Sequence, residues 1–147
     1  MRSAIMCVSM ACLVMVTPAS AQEQDIAPWV ENVGEELSRI RVSYTMATLL
    51  MRCCKADRDE VEGAFQNARQ SVARTKEAAS QESGRLCGSL TFLGLGVGRV
   101  RTRLAILHSK AKAQNESAPL LDRIETYKNR VAALAQDAQE RRSQLGC

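Results

Sequence analysis

The chain has 147 residues, with 20 lysines and arginines against 16 acids, one histidine, one tryptophan, two tyrosines and two phenylalanines. A formal charge of +4 is too small for a dedicated nucleic-acid binder, so no nucleic-acid partner is expected. So few aromatic residues, beside much alanine, leucine and valine, suit close helix packing better than a β-sandwich.

The N-terminus reads as a targeting segment. Arg2 is followed by an apolar run from Ala4 to Val16, interrupted only by Ser9, and Pro18-Ala19-Ser20-Ala21 gives an Ala-x-Ala exit. A charged start, a short apolar run and a small-residue exit make a secretory signal peptide. The run is also shorter than the ~20 residues a spanning helix needs. Residues 1–21 are therefore expected to be cleaved, with Cys7 and Cys12 leaving in them. The expected location is the bacterial periplasm, otherwise the extracellular space. Residues 22–147 then form a single domain with 19 basic residues against 16 acidic ones.

From Ile26 a stripe of Ile26, Val30, Val33, Leu37, Ile40, Tyr44, Ala47, Met51 and Cys54 alternates spacings of four and three, the mark of one apolar helix face. Asp25 can cap its start, and Pro28 is tolerated in the first turn. The count runs on through Arg58, Val61, Phe65, Ala68, Val72, Thr75 and Ala79, with Arg58 the one charge on the seam. Two readings follow: one continuous helix over about 26–80, or two helices with a tight turn near 54–57. Asp57 and Glu60 resemble a capping box, and the lengths of the later helices favour the turn.

Leu86, Leu90, Leu93, Val97, Val100, Leu104, Leu107 and Ala111 form a third seam, which predicts a helix over 89–114. Gly94, Gly96 and Gly98 make its first half a soft spot, since each interior glycine costs about 1 kcal/mol against alanine. A loop with regular helix only from Arg99 is the alternative. Ser117 and Pro119 open the fourth helix, whose seam is Leu120, Ile124, Tyr127, Val131, Leu134, Ala138 and Leu145, with Gly146 as its stop. The expected fold is all-α: an antiparallel up-down bundle with coiled-coil-like spacing and helices at 27–54, 58–81, 89–114 and 118–145, or three helices with a long first one. The expected core begins with Leu37, Ile40, Phe65, Val72, Leu93, Val100, Leu104, Ile124, Val131 and Leu134.

Chemistry-bearing motifs are sparse. The Gly94–Gly98 run lacks the Gly-Lys-Ser/Thr of a phosphate loop and follows no strand, so it reads as close helix approach. The uncharged stretch 86–98 is the candidate for contact with a membrane surface. Arg99, Arg101, Arg103, Lys110 and Lys112 form a basic stretch that a phosphate or acidic partner could use, or a solvated face. His108 stands alone beside a leucine seam and reads as a boundary residue. No nucleophile–histidine–acid set or metal-ligand spacing stands out. No catalytic residue, cofactor or metal site is assigned, and a non-enzymatic role is favoured.

Four cysteines remain after the leader. In an oxidising compartment they suggest disulfides. In an up-down bundle Cys87 and Cys147 fall at the same end, so they are the expected pair. Cys53 and Cys54 are adjacent, with Cα atoms about 3.8 Å apart against the usual ~4.4–6.8 Å of a disulfide. They read either as one structural partner plus one small core residue, or as a redox or soft-metal site. Two functions stay open. The favoured one is an exported binding or structural module with a protein partner, a subunit or adaptor of an envelope assembly. The alternative is a redox or soft-metal protein using Cys53 and Cys54.

Overall fold

Four apolar seams close against one another. The computed structural model describes residues 26–81 and 84–147; the leader expected over 1–21 and the Asp25 cap lie outside them. The helices are α1 (Ile26–Thr48), α2 (Lys55–Ser80), α3 (Leu86–Ala113) and α4 (Ala118–Gln144). α1 packs on α2, α2 on α3, α3 on α4, and α4 back on α1, the expected four-helix bundle. Cross-helix pairs show α1 antiparallel to α2, α2 to α3, and α1 to α4. Lys76 meets Glu31 and Arg41 meets Glu62 between α1 and α2. Lys110 meets Asp57 and Arg103 meets Glu60 between α2 and α3. Trp29 donates to Asp137 at 2.5 Å and Arg130 to Glu36 at 3.0 Å between α1 and α4.

The seams supply the core. Leu37, Ile40, Phe65, Leu93, Val100, Leu104, Ile124 and Val131 are all fully buried. Two expected core residues sit at its rim instead. Val72 is half-buried at the α1–α2 edge, where its Cγ1 lies 2.9 Å from the place a Cβ on Gly34 would occupy. Leu134 is half-buried and lines a shallow depression with Trp29 at the α1–α4 edge.

The continuous-helix reading is overturned, and the break lies earlier than the turn expected near 54–57. α1 ends at Thr48, and 49–54 make the connection. Arg58, the charge on the second seam, accounts for this: its Nη1 donates to the Thr48 carbonyl at 2.9 Å, and the Met51 amide donates to the same oxygen at 3.1 Å. Carbonyls at a helix end need such donors. The capping box at Asp57 and Glu60 does not form. α2 starts at Lys55 with Cys54 as its N-cap, and Asp57 pairs with Lys110 in the first turn. An acid there also suits the helix dipole.

α3 starts three residues before the expected 89 and is helical through Gly94, Gly96 and Gly98, so the loop alternative is also overturned. Its eight seam residues from Leu86 to Ala111 are all buried, which outweighs the ~1 kcal/mol cost per glycine. α3 and α4 stop in the same way. Glu116 N–H donates to Ala111 O and Asn115 N–H to Lys112 O, with Asn115 at φ 56°. Cys147 N–H donates to Arg142 O and Gly146 N–H to Ser143 O, with Gly146 at φ 71°. Both are the paired back-bonds of a left-handed helix stop, supplied by the two residue types that enter that region most readily.

Candidate functional site

The connection 49–54 is where local sequence and packing disagree most. Met51 turns into the core at 5% exposure. That leaves Leu49 at 65% and Leu50 at 89% exposure, facing outward. Val42 and Met46, on the turns of α1 before them, are also large and exposed. Val42 and Met46, four residues apart, share one face of α1, and Leu49 and Leu50 follow in the turn just past its end. Arg52 and Lys55 flank the tip, both exposed, with Lys55 paired to Asp59 at 3.0 Å.

The same turn carries the adjacent cysteines, and the structure brings their sulfurs together rather than sending one to another partner. Both are half-buried against the core. Cys54 has φ 63° and ψ 33°, the left-handed region, and makes no side-chain cap to α2. A residue with a β-carbon pays about 1–2 kcal/mol there. The loop between α3 and α4 grips this turn: one Glu116 carboxylate oxygen accepts the Arg52 amide at 3.2 Å and the Cys53 amide at 3.3 Å. Beneath it, burial pushes the Tyr44 phenol pKa far up, against the opposing influence of the Thr48 hydroxyl and the Arg58 charge. The Thr48 proton goes to the Tyr44 carbonyl at 2.9 Å, and the phenol oxygen has no hydrogen-bond partner among the described residues.

Cys87 and Cys147 meet at the opposite end, at disulfide distance with Cα atoms 5.4 Å apart. Near them an open groove of about 740 Å³ runs between α3 and α4, floored by Leu90, Gly94, Ala132 and Ala135. Within 86–98, the stretch considered for membrane contact, Leu86, Leu90, Leu93 and Val97 are buried, and Phe92 and Leu95 are the exposed large apolar residues. Among the described residues no helix is long and apolar enough to cross a membrane.

The basic stretch divides around α3. Arg103 and Lys110 turn to α2, where they pair with Glu60 at 2.5 Å and Asp57 at 2.6 Å. Arg99 is exposed, and helical spacing puts it on that same side. Arg101 lines the α3–α4 groove, and Lys112 is exposed near the α3–α4 loop. His108 is half-buried; after Lys128, it helps hold the Glu125 carboxyl below its ordinary pKa. Lys76 does the same for Glu31. No group of three or more His, Cys, Asp or Glu among the described residues is placed to hold a metal ion. The chain matches no family model, no curated protein and no solved structure.

Sequence reasoning passed over Glu116 and the exposed residues Val42, Met46, Leu49 and Leu50. Val42 and Met46 were readable as apolar residues off the main seam. Glu116 was not, because nothing local reports that its carboxylate meets backbone amides 63 and 64 positions away.

Proposed function

We propose that this chain is an exported helical binding module that serves as a subunit or adaptor of an envelope assembly, docking through the end of the bundle that carries Leu49 and Leu50. The observation that carries the reading is the run of four large exposed apolar residues, Val42, Met46, Leu49 and Leu50, at the end of α1 and in the turn after it. A contiguous apolar patch rimmed by charge marks an interaction surface. Arg52 and Lys55 beside it favour a protein partner with an apolar groove and an acidic rim. Export rests on the Arg2-to-Ala21 leader pattern, and a secreted product whose N-terminus is Gln22 is its check.

The test places a photo-crosslinking residue at Leu50, with Ala133 on α4 as control position, in envelope fractions. A defined envelope protein captured from position 50, and lost when Met46 and Leu49 are changed to serine, supports the proposal. Capture of only a second copy, only lipid, or nothing beyond the control overturns it. A second reading, redox chemistry at Cys53 and Cys54, is favoured by the contact of their sulfurs. In a soft-metal version the same two sulfurs would be the donors.

A further inference from the structure

The turn that displays Leu49 and Leu50 is held by two things besides the Met51 anchor. One is Glu116, through the Arg52 and Cys53 amides. The other is the contact between the Cys53 and Cys54 sulfurs, made while Cys54 stands in the left-handed region. A bond between adjacent cysteines closes a small ring through their shared peptide, so it couples sulfur chemistry directly to backbone angles. α2 begins at the next residue, and the Cys54 carbonyl accepts the Arg58 amide at 3.0 Å. The backbone angles of Cys54 therefore set the direction in which the turn leaves α2.

We infer that Cys53 and Cys54 are a dithiol–disulfide exchange site whose redox state sets the turn carrying Leu49 and Leu50. The co-reactant is a dithiol reductant. One of its thiolates attacks the Cys53 sulfur, the Cys53–Cys54 bond breaks, and Cys54 leaves as a thiolate. Its other thiolate attacks the mixed disulfide and releases Cys53. The reductant departs as a disulfide; its two electrons and two protons end on the two cysteines. Cys54 is the better leaving group because it stands at the N-cap position, at the positive end of α2, with Lys55 and Arg58 in that helix's first turn. With the ring open, only Glu116 and the Met51 anchor still hold the turn; Cys54 is released from the left-handed region, and the turn opens. The consequence for docking rests on the function proposed above; the opening of the turn does not.

Hydrogen exchange over residues 50–55 reads the turn without any partner, so the two ideas fail separately. Oxidised wild type is compared with C53S/C54S and with C53S/C54G, all keeping Cys87 and Cys147 and all checked for helix content. Exchange in C53S/C54S should rise five- to thirty-fold in that segment alone, the factor equivalent to about 1–2 kcal/mol of left-handed backbone cost. C53S/C54G should stay near oxidised wild type, because glycine takes that conformation freely. Reduced wild type should resemble C53S/C54S. Equal protection in the two variants, or no change on reduction, overturns the inference, as does peptide mapping that finds Cys53 and Cys54 unpaired in the oxidised protein.

Discussion

Gly94, Gly96 and Gly98 of α3 permit a graded test of how closely α2 and α3 approach. All three lie inside a regular helix, so replacing each by alanine should gain about 1 kcal/mol from propensity alone. The surroundings differ. A Cβ added at Gly94 or Gly98 meets nothing within 4 Å. A Cβ added at Gly96 lies 3.3 Å from the Ala68 Cα and 3.3 Å from the Ser71 Oγ. The serine can rotate, but the Ala68 backbone moves only with α2. Overpacking of this kind costs about 1–3 kcal/mol, which cancels or exceeds the propensity gain. Thermal unfolding of the three single variants should therefore split. Gly94→Ala and Gly98→Ala should each raise Tm by roughly 4 °C, the shift that about 1 kcal/mol produces in a domain of this size. Gly96→Ala should leave Tm unchanged or lower it. A Gly96→Ala variant stabilised as much as the other two would refute the close approach at Ala68.

Three further outcomes are expected. Leu104→Ala removes a fully buried side chain and should cost about 2–5 kcal/mol in urea unfolding, while Leu50→Ala, at 89% exposure, should stay within about 0.5 kcal/mol; equal effects would misplace the core. Non-reducing peptide mapping should return Cys87 linked to Cys147, and replacing both by serine should cost up to about 4 kcal/mol for a loop with a sequence separation of 60; a Cys147 peptide joined to Cys53 or Cys54 would mean the helix directions are wrong. Tyr44 governs the alkaline limit. Its folded pKa is raised above the unfolded ~10, so its contribution is fully present below that pH and is lost as pH rises beyond it. Absorbance at 295 nm should show a tyrosine that ionises only as the fold is lost, and Tyr44→Phe should weaken the alkaline transition.

The division between sequence and tertiary structure follows the range of the forces involved. Four-three spacing was enough for four helices and for most of the core, because burying one face of a helix is a local, periodic demand. That is why Leu37, Phe65, Leu104 and Val131 could be read directly. The helix stop at Gly146 was local too, since it depends on which residue tolerates a positive φ. What the sequence could not decide were events that needed a second segment. α1 ends at Thr48 because Arg58, ten residues on, donates to its last carbonyl. Gly96, rather than Gly94 or Gly98, marks the close approach because Ala68 lies across from it. The turn at Cys53 and Cys54 is gripped by Glu116, a residue that meets it only once α2 has run to the other end and α3 has come back. Periodicity specifies faces, and only packing specifies which atoms meet across them.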